Sequence, residues 1–331
     1  MVYSTQTKTR LEKVITEQFL AADNDEVLKM HEEAKVKKFK AQIVWRNVIL
    51  FAILHATALL GAYHLFFCVK WQTFAWVIVC WIISGLGITA GAHRLWSHKT
   101  YKARTPLKIF LMFANCMAVQ NDVIEWARDH RCHHKWTDSD ADPHNINRGF
   151  FFSHMGWLLV RKHPKVAEKG KQLDMSDLES DPVLAFQRKY YFPMLVFCSF
   201  VFPTWVAVYG WGETPFYAFY TAGLFRYCYV LHTTWFINSI SHMIGYKPYD
   251  SKISPTENQI TNFFAIGEGG HNYHHTFPQD YRTSEIGYEM NITKLFIDIM
   301  HFIGQAYDLK SVEEEVIARQ HALKGKDPRS H

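Results

Sequence analysis

Four long apolar stretches constrain this chain more than any other feature. Arg46 to Val69 carries no charge after Arg46, and Trp71 to Ala92 is uncharged throughout. A second pair follows, Tyr191 to Trp211 and Pro215 to Ile240, the latter holding one charge, Arg226. Each reaches the ~20 residues that a helix needs to cross a bilayer core. The slightly negative mean hydropathy of the whole chain hides them, because its apolar residues are concentrated in these windows. Four helices buried in a soluble bundle would be the alternative, but soluble helices of this length normally keep a polar face. The reading is an all-α membrane protein with four transmembrane helices in two hairpins, polar segments holding the remaining residues.

Lysine and arginine set the orientation. Lys70 alone separates the first two stretches and Gly212–Thr214 the second two, whereas the N-terminal segment, His93 to Lys189 and the C-terminal tail are rich in basic residues. All three are therefore placed in the cytosol. The expected divisions of one integrated domain are a cytosolic N-terminal segment (1–45), a first hairpin (46–92) and a first cap segment (93–190). A second hairpin (191–240), a second cap segment (241–310) and a tail (311–331) follow. The opening MVYSTQTKTRLEKV is polar and unlike a cleavable signal peptide. Residues 1–40 read as helical, with a weak apolar stripe at Phe19, Leu20, Val27, Leu28 and Met30. Leu107 to Val123 is apolar but short, and is expected to lie at the membrane surface or inside the cap rather than to form a fifth span. The region from Lys162 to Gln187 reads as loop-rich, Leu295 to Leu309 as amphipathic, and the end as frayed after Gly325. The sequon at Asn291 would face the cytosol and stay unmodified.

The six scattered cysteines form no Cys-x-x-Cys pair and read as reduced, small apolar residues. A formal charge of +5 suits anionic headgroups or an acidic partner, and no nucleic-acid motif accompanies it.

Three histidine clusters flank the apolar stretches. HRLWSH holds His93 and His98, DHRCHHKW holds His130, His133 and His134, and HNYHH holds His271, His274 and His275. Asn238 and His242 in NSISH close the fourth stretch. On a helix, residues three and four apart share a face, so His130 projects beside His133 and His134, His271 beside His274 and His275, and Asn238 beside His242. Nine imidazoles exceed what one tetrahedral zinc accepts. Two first-row metals with four or five ligands each fit better, and imidazole alone does not choose between zinc, copper and iron. Soluble di-iron bundles use paired Glu-x-x-His motifs; here only Glu268…His271 has that spacing, among glycines. His55, His64, His144, His154, His163, His232 and His301 lack such company and read as packing or surface residues.

GITAGAHRLWSHKTYKA, NDVIEWARDHRCHHKWTDSDADPHN, RGFFFSHMGWLLVRKHP and GEGGHNYHHTFPQDYRTSE resemble the acyl-CoA (stearoyl/palmitoyl-CoA) delta-9 desaturases of the endoplasmic reticulum. The likeness runs from about Val44 to Leu309. It implies four transmembrane helices beneath a cytosolic cap that holds two irons, with dioxygen as co-substrate. The family's ligand positions match His93, His98, His130, His133, His134, His242, His271, His274 and His275, and Asn238 matches a position that contacts one iron through water. By the same resemblance, Asn47, Arg128, Asp129, Arg161 and Lys162 hold CoA and pantetheine, and Gln120, Trp126 and Thr234 line the bend of an acyl tunnel. Trp81 and Gly85, on one face of the second span, would close it, and the volume of Trp81 favours 16-carbon over 18-carbon chains. Gly270 and Gln279 depart from the family pattern, which commonly has a bulky aromatic and a tryptophan there.

The implied chemistry is physically coherent. Unactivated methylenes offer nothing for an acid or base to polarise, so a strong oxidant drawn from dioxygen is needed. The chain has no haem motif, dinucleotide loop or iron–sulfur cysteine set. The resemblance accordingly implies fatty acyl-CoA as substrate, with electrons from cytochrome b5 and NADH-cytochrome b5 reductase. The rivals are a desaturase of other regiospecificity, a related membrane di-iron fatty-acid hydroxylase or sterol oxidase, and a metal transporter using histidines as a pathway. Transport would need ligands grouped inside the spans, where His55, His64 and His232 read as isolated.

Overall fold

The computed structural model describes residues 24–36, 39–285 and 291–325. Phe19 and Leu20 of the expected N-terminal stripe and the tail after Gly325 lie outside them, while Val27, Leu28 and Met30 fall on the helix Asn24–Val36.

Helices dominate. Trp45–Phe67, Trp71–Ser97 and Pro182–Trp211 are each long and apolar enough to cross a membrane. Their outward faces are greasy: Leu59 is 74% exposed, Phe67 76% and Trp71 76%, the reverse of helices buried in a soluble bundle. Pro215 to Met243 is a fourth continuous helix of comparable length, interrupted by π geometry at Phe219–Phe225. It carries Arg226, His232, Thr233, Thr234 and Asn238 and is too polar to join the other three on composition. Arg226 is fully buried, and neutral oxygens satisfy it: the carbonyls of Met117 and Ser199 at 2.7 Å and of Ala222 at 3.0 Å. Met117 lies in the last turn of Thr105–Ala118, where a helix end is partially negative.

The turns at Lys70 and Gly212 meet. The Lys70 ammonium donates to the Trp211 and Gly212 carbonyls at 2.9 and 2.7 Å, and its backbone N–H donates to Glu213 at 2.9 Å. Both hairpins therefore turn at one end of the molecule, and the histidines gather at the other. The helix Pro182–Trp211 begins before its expected start but kinks at Tyr190, beside the anticipated boundary. Thr105–Ala118 and Val123–Lys135 meet at 79°. The former packs so closely on the second long helix that a Cβ at Gly87 would lie 2.2 Å from the Ala114 carbonyl carbon.

Around these helices lie short helices and two-residue strands, Lys102–Ala103 paired antiparallel with Ala306–Tyr307. The anticipated amphipathic segment is the helix Ile292–Phe302. Asn291 is buried, donating to the Arg282 carbonyl at 2.9 Å and accepting from Lys294 N–H at 2.9 Å, so its amide is inaccessible to a glycan. All six cysteines are free thiols.

Candidate metal centre

The first histidine pair depends on an unusual backbone. Gly87–Ser97 forms a π-helix at the end of the second long helix, closed by a hydrogen bond from His98 N–H to the His93 carbonyl at 3.1 Å. A five-residue spacing places side chains on divergent faces of an α-helix, but the i→i+5 pattern of a π-helix aligns them. The rings of His93 and His98 lie 4.9 Å apart between centroids. Arg131 holds the segment by donating to the Trp96 and Ser97 carbonyls at 3.0 and 3.2 Å, while Asp177 accepts from it at 2.8 Å.

The two His-x-x-His-His motifs occupy short α-helices, Val123–Lys135 and His271–Thr276. In each, the pair four apart goes to one group of ligands and the remaining histidine crosses to the other. His93, His98, His130, His134 and His274 form one group; His133, His242, His271 and His275 form the second. Within each group, one ring nitrogen per residue lies within 4.8 Å of all the others. Both short helices thus contribute to both groups, which fixes the groups side by side. Gly270 opens the second helix where a Cβ would sit 2.5 Å from Ser284 Cβ. No aromatic fits there in this chain.

The donor chemistry fits two cations. His274 Nε2 lies 2.9 Å from both His93 Nε2 and His134 Nε2, and His271 Nε2 lies 3.0 Å from His242 Nε2 and 3.2 Å from His275 Nε2. A ring nitrogen carries one hydrogen or one lone pair, so hydrogen bonding cannot satisfy three such atoms converging on a point. A cation at that point can. Carboxylates behind the rings set the tautomers: Glu268 accepts from His93 Nδ1 at 3.0 Å and Asp142 from His133 Nδ1 at 2.9 Å, leaving each Nε2 a lone pair aimed inward. His242 Nδ1 meets Ser254 Oγ at 3.1 Å, and Ser254 in turn donates to Asp138.

Burial, reinforced by the neighbouring rings, holds His98, His130, His134, His271, His274 and His275 well below the ordinary histidine pKa. They are neutral at physiological pH, the form in which an imidazole can bind a metal. For His133, burial works against protonation but the Asp142 carboxylate outweighs it and raises the pKa. Burial likewise opposes ionisation of Glu268, yet Arg94 and His93 keep its pKa low.

A cavity of about 680 Å³ leads away from the histidines. Asn47, Gln120, Trp126, Asp129, Thr234 and Asn238 all line it, and it shares Trp126, His130, Thr234 and Asn238 with a small cleft against His93, His133 and His271. Gln120 donates to Thr234 Oγ1 at 2.9 Å and accepts from the Trp126 indole at 3.4 Å, so the three tunnel-bend candidates form one chain. At the far end Asn47 donates to the Leu158 carbonyl at 2.8 Å. Arg128 and Lys162 flank Asp129, with Lys162 in direct contact and Arg128 at 3.5 Å. Arg161 is exposed nearby, its backbone N–H donating to the Gln42 carbonyl. Trp81 and Gly85 line neither space. Trp81 packs with Ile88, Ala118 and Val230, and Gly85 faces Ile266, whose Cδ1 would lie 2.7 Å from an added Cβ.

Several partners were invisible in the sequence. Glu268, Asp142 and Asp138 lie behind the ligands, with only the Glu268…His271 spacing as a hint, and that hint named the wrong histidine. Four of the histidines read as solitary are not. His144 packs on His133 with ring centroids 4.4 Å apart, and burial lowers its pKa to about 3. His55, His154 and His232 touch one another in series. These contacts span 78 and 177 residues, beyond any local pattern. His163 accepts from Lys165 N–H as a helix cap, His301 meets the Ala306 carbonyl, and His64 packs among aromatic rings, as packing residues do.

Residues 70–285 match the family model described as fatty acid desaturase. The chain is 61% identical over 310 residues to the Delta(9)-fatty-acid desaturase fat-6 of Caenorhabditis elegans, covering 94% of this chain and 91% of the relative. It is 54% identical over 278 residues to the stearoyl-CoA desaturase of Homo sapiens, covering 84% and 77% respectively.

Proposed function

Because this chain belongs to the fatty acid desaturase family, we propose that it is a delta-9 acyl-CoA desaturase, inserting a cis double bond into saturated 16- or 18-carbon acyl-CoA. One observation carries the reading: the large cavity reaches His130 of the first histidine group, and through His130 and Asn238 it adjoins the cleft against His93, His133 and His271. A saturated chain lying in that cavity brings its methylenes to the metal centre and nowhere else.

Two irons, held by His93, His98, His130, His134 and His274 and by His133, His242, His271 and His275, with Asn238 beside the second group, would supply the oxidising power from dioxygen. The protein's own part is positioning. Apolar walls at Phe51, Leu54, Leu195 and Leu231 exclude water from the oxidant, and the Trp126–Gln120–Thr234 chain sets the bend. Arg128 and Lys162 offer cations to phosphates, with Asp129 between them and Asn47 and Arg161 alongside. Trp81 and Gly85 act on chain length through packing behind the bend rather than as its wall. The chain is read as four spans in two hairpins, divided at 46–92 and 191–240, a reading supported by the meeting of both turns at one end. Cytosolic termini, an endoplasmic reticulum location, cytochrome b5 with its NADH-dependent reductase as donor, and a preference for 16 carbons complete the reading.

Expression in a yeast strain lacking its own desaturase, followed by gas chromatography of lipid, tests this. Growth without added unsaturated fatty acid and a double bond at carbon 9 of palmitate or stearate are expected. A hydroxylated product without olefin would replace the reading with a hydroxylase.

A further inference from the structure

A third convergence of ring nitrogens lies apart from the two described above. His55, half-way along the helix Trp45–Phe67, meets His232 of the helix Arg226–Met243, with Nε2 to Nε2 at 3.0 Å. Cys228 stands one turn before His232 and is 6% exposed. One ligand atom from each of the three residues lies within 4.8 Å of the other two.

Hydrogen bonds at both ends orient the rings. The Phe51 carbonyl can only accept, so His55 Nδ1 donates to it at 2.6 Å, and His55 Nε2 carries a lone pair. At the other end Ser239 donates its hydroxyl to the Trp235 carbonyl at 2.9 Å. Its oxygen then accepts from His154 Nδ1 at 3.0 Å. The lone pair of His154 Nε2 accepts from His232 Nδ1 at 3.0 Å, which leaves His232 Nε2 with a lone pair too. Two lone pairs therefore point at each other. Between neutral rings that contact is repulsive, and around a cation it is attractive. The contact length matches the Nε2-to-Nε2 separations of 2.8–3.2 Å inside the two groups of the nine-histidine centre. As at His93, His133 and His242, a second partner holds Nδ1 and turns Nε2 inward, the usual arrangement behind a ligating histidine.

We propose that His55, Cys228 and His232 bind one soft or borderline first-row cation, Zn2+ or Cu+. Two imidazoles and a thiolate select such an ion over Mg2+ or Ca2+, and binding releases the Cys228 proton to solvent. Three protein ligands leave one tetrahedral position open. The surrounding shell is apolar, with Leu54, Ala58, Leu231 and Trp235 buried around Cys228. Ionisable groups placed inside a membrane helix are costly unless they are used. A cation there would join Trp45–Phe67 to Arg226–Met243 and, through His154, to Phe150–His154. Phe51, Leu54, Leu231 and Trp235 also line the large cavity, so the site braces that wall without belonging to the iron centre.

The test uses iron-loaded protein in detergent with one equivalent of Co2+. The nine-histidine centre offers no sulfur, so a thiolate-to-cobalt charge-transfer band in the near ultraviolet separates a cysteine site from that centre, and the cysteine variants assign it. The band is expected in the wild type, displaced by Zn2+, absent in Cys228→Ser, weakened at least tenfold in affinity in His232→Asn, and retained in Cys68→Ser. Iron content and desaturation by Cys228→Ser verify that the variant folds. Should it fold poorly, His154→Phe, which removes the partner of His232 Nδ1 and leaves all three proposed ligands in place, is expected to weaken cobalt binding. No thiolate band in the wild type, or a band that survives Cys228→Ser, overturns the proposal in favour of a neutral hydrogen-bonded wire with the Ser239 hydroxyl turned towards His154.

Discussion

Replacing Glu268 by glutamine removes one charge and almost no volume, yet it attacks the centre through the tautomer of His93. Glu268 is buried, with Oε1 accepting from Arg94 Nε and Nη2 at 3.1 and 2.8 Å and Oε2 accepting from His93 Nδ1 at 3.0 Å. A glutamine retains one acceptor. If its carbonyl serves Arg94, its amide N–H groups face the Nδ1 hydrogen of His93. The ring must then shift its hydrogen to Nε2, the atom aimed at the metal. Arg94, itself 0% exposed, loses its counter-charge in either orientation. If the amide turns the other way, its N–H groups also face the guanidinium, which then has no acceptor left on this side chain. Orphaning a buried charge in this way costs about 3–5 kcal/mol. Losing a partner behind a ligand typically costs about 10–100-fold in metal affinity. The first outcome therefore predicts iron loss with modest destabilisation, and the second a large fall in stability. Iron per chain after dialysis against a graded chelator, measured beside thermal unfolding, separates them. Glu268→Gln protein that keeps its full iron through the chelator series, with unchanged unfolding, would refute the role given to this carboxylate.

Other perturbations probe neighbouring parts of the account. Gly270→Ala forces a Cβ against Ser284 at 2.5 Å and should destabilise by about 1–3 kcal/mol, with iron lost first from the group containing His271 and His275; iron counting and calorimetry check this. Thr234→Val removes the acceptor of the Gln120 amide and should lower turnover while iron stays bound, read as activity against iron content. Acidification should destabilise the metal-stripped protein. The six histidines of the two groups with depressed pKa, and His144 beside them, stay neutral when folded but protonate near ~6.5 when unfolded. Stability is full above that value and falls as pH drops below it, by up to about 1.4 kcal/mol per unit per histidine. Denaturant unfolding across that range checks the sign, and a stability that stays flat or rises on acidification would contradict it.

Much of the centre was legible because ligand histidines three and four apart announce themselves on α-helices. The segments DHRCHHKW and HNYHH carry that signal, and the structure brings the nine rings together in two groups. The division of each motif between two groups was not legible, since it depends on how two short helices cross. Nor was the pairing of His93 with His98, because a five-residue interval has meaning only once Gly87–Ser97 is known to wind as a π-helix. Asp142, Glu268 and the His55–His232–His154 series reach their partners through tertiary packing alone. The fourth apolar stretch shows the converse. Its single charge, Arg226, looked like an exception and is accommodated by carbonyl oxygens from three separate segments.

Iron-edge anomalous scattering from crystals of the purified protein tests the central claim most directly. Two peaks are predicted, one enclosed by His93, His98, His130, His134 and His274, the other by His133, His242, His271 and His275. A single peak, or iron bound away from these rings, would contradict it.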